Sequence, residues 1–86
     1  MKEDIYNEVI KILTTKYGVD EDEVNSNSIL GDDINLGTLE IQDFLLDVSE
    51  KYQFEYEDLI ENIEEELEEL TISETVNYIY DALKLD

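Results

Sequence analysis

Apolar residues recur at intervals of three and four in four separate stretches of this chain, and in the third the residues between them are nearly all acids. That spacing puts each set on one side of an α-helix rather than on the alternate positions of a strand. In the first stretch Ile5, Val9, Ile12, Leu13 and Tyr17 share a face, and Gly18 is placed to end the helix in a left-handed turn. In the second, Ile41, Phe44, Leu45, Val48 and Tyr52 form a buried face on a helix that starts near Thr38. Leu59, Ile60, Ile63, Leu67 and Leu70 predict a third helix running through to residue 70. Thr71-Ile72-Ser73-Glu74 has the form of a capping box, in which a hydroxyl and a carboxylate each satisfy an orphan N–H. It opens a fourth helix with Val76, Ile79, Tyr80 and Leu83 facing inward.

The connection between the first two helices, residues 18–37, is long. Val19, Val24, Ile29 and Leu30 are its apolar anchors, and Asn25–Ser28 and Asp32–Gly37 are turn-prone. A long structured loop in a compact domain tends to be functional. The expected architecture is therefore all-α: a four-helix bundle with a long loop between helices 1 and 2, forming one domain over residues 1–86.

Charge narrows the partners. The chain has 25 acidic residues against five lysines, a formal net charge of −20. Such a surface excludes nucleic-acid phosphate and anionic membrane as natural partners and favours basic protein surfaces. It also repels itself. In the third helix Glu61–Glu65, Glu64–Glu68 and Glu65–Glu69 are like-charge pairs, each destabilising by about 0.2–0.5 kcal/mol. No lysine lies between Lys51 and Lys84 to offset them, so this helix is expected to be the least stable.

Missing residue types remove whole chemistries. Without cysteine or histidine there is no disulfide, thiolate nucleophile, imidazole base or imidazole ligand. An EF-hand register begun at Asp33 fails, because Gly37 falls one place early and Phe44 stands where the bidentate glutamate belongs. No dedicated metal site and no catalytic residue are expected, and the chain is not read as an enzyme. No apolar run approaches the ~20 residues of a membrane span. Met1-Lys2-Glu3-Asp4 has neither a secretory nor a transit-peptide character, which leaves a cytoplasmic, monomeric protein as the expectation.

The most informative segment is Asp32-Asp33-Ile34-Asn35-Leu36-Gly37-Thr38-Leu39-Glu40, followed by Ile41-Gln42-Asp43-Phe44-Leu45-Leu46-Asp47-Val48-Ser49-Glu50-Lys51-Tyr52. A long acidic loop ends here in a hydroxyl residue at the head of an acidic, amphipathic helix. The segment resembles the prosthetic-group attachment region of the acyl carrier protein family. The resemblance extends back through Tyr17-Gly18-Val19-Asp20-Glu21-Asp22-Glu23-Val24 and forward through Phe54–Asp58, Thr71-Ile72 and Val76–Ile79. It thus covers nearly the whole chain. It implies 4′-phosphopantetheine on the hydroxyl at position 38, with a thioester arm that hands acyl or aminoacyl groups between enzymes. By the same resemblance, Leu39, Glu40, Gln42, Asp43, Leu46, Glu50 and Tyr56 face basic-surfaced partner enzymes of acyl or thioester metabolism, a phosphopantetheinyl transferase among them.

Three departures accompany the match. Gly37 stands where the family has an aspartate, Thr38 stands where it has the attachment serine, and the third helical region is several residues longer. Threonine keeps the hydroxyl but adds a methyl group beside it and a stiffer χ1. Two readings of Thr38 follow. It is the modified residue of a carrier, or it is only a helix N-cap in an unmodified carrier-fold module that docks basic proteins.

Overall fold

The computed structural model describes residues 1–85. Among these there are four α-helices: α1 (Lys2–Tyr17), α2 (Thr38–Tyr52), α3 (Tyr56–Asn62) and α4 (Ile72–Leu85). Short 3₁₀ turns occur at Glu21–Glu23 and Leu67–Glu69. The described residues contain no strand, only an isolated antiparallel bridge between Ile29 and Thr71. Among the described residues no helix is long and apolar enough to cross a membrane.

The expected faces of α1, α2 and α4 are the ones the fold buries. Ile5, Val9 and Leu13 from α1 meet Ile41, Phe44, Leu45 and Val48 from α2 and Ile72, Val76, Ile79 and Ala82 from α4 in one core. Tyr17 meets Phe44 edge to face, with ring centroids 6.4 Å apart. Ile12, Tyr17, Tyr52, Tyr80 and Leu83 pack half-buried around this core. Gly18 ends α1 at φ 68°, ψ 21°, a conformation that suits a residue without a β-carbon, and the Val19 N–H returns to the Leu13 carbonyl. The Thr71–Glu74 capping box is present. Glu74 N–H donates to Thr71 Oγ1 at 3.1 Å, and Thr71 N–H donates to Glu74 Oε1 at 3.0 Å.

The loop between α1 and α2 is pinned by Leu30 and Leu36, both buried, with Val19, Val24 and Ile34 half-buried. Of the expected anchors, Ile29 is only half-buried, and Leu36 takes an anchoring place that its loop-like neighbours concealed. Asp20 and Asn25 each accept a backbone N–H two residues on, and Asp33 accepts the Ile29 N–H at 2.8 Å. Short polar side chains thus satisfy a backbone that has no ladder of its own.

The third helix is shorter than its apolar spacing suggests, and this corrects the expectation of a helix through residue 70. α3 stops at Asn62, Ile63 turns to φ −82°, ψ 114°, and the chain runs through Glu64–Glu66 into the 3₁₀ turn Leu67–Glu69. Two physical causes act together. Continuing the helix would stack the three like-charge glutamate pairs. Leaving it lets residues 68–73 pair with the first loop: Gly31 N–H donates to the Glu68 carbonyl and Leu30 N–H to the Leu70 carbonyl, both at 2.9 Å, and Ile72 N–H donates to the Ser28 carbonyl at 3.0 Å. Ile63, Leu67 and Leu70 still pack on the core, but from an irregular backbone.

Candidate functional site

Thr38 is the first residue of α2, and Gly37 is the N-cap. Gly37 offers no side chain to the helix end. Its own N–H donates to Glu40 Oε1 at 3.0 Å, and its carbonyl accepts the Ile41 N–H at 3.0 Å. Only the carboxylate half of a capping box is therefore formed. This corrects the reading of Thr38 as an N-cap: its hydroxyl bonds no backbone group of α2. Thr38 Oγ1 instead donates to Glu68 Oε1 at 3.0 Å, across thirty residues of chain. Both residues are exposed.

Beside Thr38 lies a groove of about 320 Å³, lined by Gln42 of α2, Tyr56 and Ile60 of α3, and Ile63 to Leu67 beyond it. Its walls are mixed, with apolar Ile60, Ile63 and Leu67 facing Glu64, Glu65 and Glu66. Tyr56 is half-buried there; burial first, and the charge of Asp43 second, push its phenol above the ordinary value. Tyr78 Oη donates to Glu65 Oε2 at 2.7 Å and ties the far rim to α4. That bond holds the Glu65 carboxyl below its ordinary value and raises the Tyr78 phenol.

The residues singled out in the sequence divide into two groups. Thr38, Gln42 and Tyr56 come together at the groove. Leu39, Asp43, Leu46 and Glu50 follow one another at helical spacing on the outside of α2. Leu39 is 75% exposed and Leu46 42%, so an acidic surface displays two apolar points. Glu40 is also exposed, although its carboxylate is engaged by Gly37. On the other flank Lys16 of α1 pairs with Asp47. Glu68, which the helical spacing places only in a like-charge pair of the third helix, is the further residue at this site. The only signal was the extra length of the third region.

An all-α bundle whose long first loop delivers a hydroxyl to the head of an acidic second helix defines a carrier-type fold. The comparisons agree with that class. No family model matches the chain, but curated proteins do. It is 31% identical over 74 residues to an acyl carrier protein of Chlamydia caviae, covering 85% of this chain and 88% of that one. It is 31% identical over 86 residues to an acyl carrier protein of Petrotoga mobilis, covering 99% and 94%. A Thermotoga maritima acyl carrier protein is 29% identical over 79 residues, covering 91% and 90%. The chain belongs to the acyl carrier protein family.

Proposed function

We infer that this chain is a thioester carrier whose arm attaches at Thr38, acting as a monomer in the cytoplasm. The observation that supports this best is the exposed Thr38 hydroxyl at the head of the fifteen-residue α2, flanked by the outer stripe Leu39–Asp43–Leu46–Glu50. The residues present fit a phosphopantetheine group. The N–H groups at the start of α2 favour a phosphate there, against the neighbouring carboxylates of Glu40 and Glu68. The groove beside Thr38 offers Ile60, Ile63 and Leu67 to an apolar cargo. When bound, the group supplies a thiol that forms a thioester with an acyl or aminoacyl cargo. The chain's own part is to hold that anchor, keep α2 rigid through its buried face, and present acids and leucines to basic partner enzymes.

A second reading stays in view because Glu68 occupies the Thr38 hydroxyl. It treats the chain as an unmodified module that docks basic partners by the same stripe. Intact mass after incubation with coenzyme A and a promiscuous phosphopantetheinyl transferase separates the two. The carrier reading expects a gain of one phosphopantetheine on the native chain, a faster gain on Thr38→Ser, and none on Thr38→Val. Gain on Thr38→Ser alone favours the module. Gain on neither removes the carrier reading.

A further inference from the structure

Glu68 belongs to a segment fastened from two sides. Its carbonyl accepts the Gly31 N–H at 2.9 Å, and the backbones approach so closely that a β-carbon on residue 31 would lie 2.7 Å from that oxygen and 2.8 Å from Glu68 Cβ. Leu70 is bonded to Leu30, and Glu65 is held by Tyr78. The backbone that carries the carboxylate on Thr38 is thus built into the fold, while the exposed side chain itself can turn away. Its place conflicts with chemistry at the hydroxyl. A phosphorus atom must come within about 3–3.5 Å of an attacking oxygen. Glu68 Oε1 already lies 3.0 Å from Thr38 Oγ1 and takes its proton's direction. A phosphate donor and this carboxylate are both anions, and Glu64, Glu65 and Glu66 line the groove beside Thr38.

We propose that Glu68 is a gate on Thr38, a positioning residue that engages the hydroxyl and must withdraw before a phosphoryl donor can reach it. The proposal rests on the carrier reading. In the gated step a bond forms between Thr38 Oγ1 and the phosphorus of coenzyme A that bears pantetheine. The phosphoanhydride bond breaks, 3′-phosphoadenosine 5′-phosphate leaves, and the hydroxyl proton passes to a base of the transferase. The product has no hydroxyl proton to return to Glu68 and adds a negative charge beside it. Modification therefore also frees the Glu68 carboxylate from α2.

The test measures initial rates of modification by intact mass, with coenzyme A and a promiscuous phosphopantetheinyl transferase, on the native chain and on Thr38→Ser. Glu68→Ala, which removes the acceptor, is expected to raise the rate about tenfold, the scale of a hydrogen bond to a charged acceptor, and Glu68→Gln, whose amide oxygen still accepts a weaker bond, is expected to raise it less. Glu69→Gln, with the same charge change at an exposed neighbour that makes no bond to Thr38, should leave it unchanged. Added salt should speed the native chain more than Glu68→Gln. A second readout needs no transferase: the Thr38 amide and γ-methyl resonances should shift in Glu68→Gln and stay in Glu69→Gln. Equal rates with and without Glu68, or unmoved Thr38 resonances, overturn the gate while leaving the carrier reading intact. A slower Glu68→Gln also overturns it, making Glu68 a base for the hydroxyl. No mass gain on any chain, Thr38→Ser included, removes the carrier reading and the gate together.

Discussion

Gly31 and Glu68 touch backbone to backbone, with the Gly31 N–H 2.9 Å from the Glu68 carbonyl oxygen and no room for a β-carbon between the two residues. This contact joins the first loop to the segment that ends on Thr38, so it links the fold to the candidate site. Because the obstructing atoms are backbone and Cβ, they yield only if the chain moves. Gly31→Ala is expected to destabilise by about 1–3 kcal/mol, as overpacking does. It should also weaken the Thr38–Glu68 bond by displacing the 3₁₀ turn. Denaturant midpoints measure the first effect and the Thr38 resonances the second. An unchanged midpoint would show that the chain yields at this contact without cost.

The Tyr78–Glu65 bond fastens the same segment to α4, and its pH dependence has a definite sign. Glu65 is held below its ordinary value of 4.5, so its contribution is present above that value and is lost as pH falls through the lower, folded one. Tyr78 is raised above 10.0, so its contribution is present below that value and is lost as pH rises through the higher, folded one. Tyr78→Phe should therefore be less stable than the native chain at neutral pH, by a smaller margin than Gly31→Ala. The two melting curves should converge both in acid and at high pH. A difference independent of pH would mean that the hydroxyl stabilises by packing alone.

Much of this architecture is legible in the sequence, for physical reasons. The faces of α1, α2 and α4 have the helical period, and their ends have local signals: Gly18, and Thr71 with Glu74. The path after Asn62 is not legible. Ile63, Leu67 and Leu70 keep a helical spacing, no glycine or proline interrupts them, and the partners that draw them out of the helix, Leu30 and Gly31, are remote in sequence. The site divides in the same way. Thr38 and the stripe on α2 follow from family resemblance and helical spacing. Glu68 does not, because its contact with Thr38 depends on where a non-helical segment lands.

Tyr17 offers a stabilising substitution. Its hydroxyl is buried and has no hydrogen-bond partner among the described residues, while its ring packs edge to face on Phe44. Burial raises its phenol, in keeping with a poorly solvated group. An unpaired buried hydroxyl costs free energy that a phenyl ring does not. Tyr17→Phe is expected to raise stability by up to about 1 kcal/mol without moving the core. A clear loss in the thermal midpoint would mean that the hydroxyl has a partner after all.

Salt should stabilise the whole chain and residues 61–69 most. A net charge of −20 repels itself, and the screening length falls from ~10 Å at 0.1 M to ~3 Å at 1 M salt. Glu61, Glu64, Glu66, Glu68 and Glu69 are exposed within one short segment that has no lysine. Its backbone is held mainly by the bonds to Gly31 and Leu30 and short-range turns. Amide exchange there should slow with salt more than in α1, which contains Lys2, Lys11 and Lys16. Equal slowing in both segments would locate the repulsion elsewhere.

The outer stripe of α2 makes the last prediction. Asp43 is exposed between Leu39 and Leu46 and forms no ion pair among the described residues, so reversing its charge should leave the fold intact. A basic partner approaching this face would lose an attraction and meet a repulsion. Rim charges of this kind act chiefly on encounter rate and its salt dependence. Asp43→Lys should raise the KM for a phosphopantetheinyl transferase several-fold while leaving kcat nearly unchanged, and the effect should shrink as salt is added. Leu39→Ala should also raise KM, but with little salt dependence, because its contribution is apolar area. Measured on Thr38→Ser, where the hydroxyl is primary, both effects report docking separately from crowding at the threonine. A KM unchanged by both substitutions would move the partner surface off this stripe.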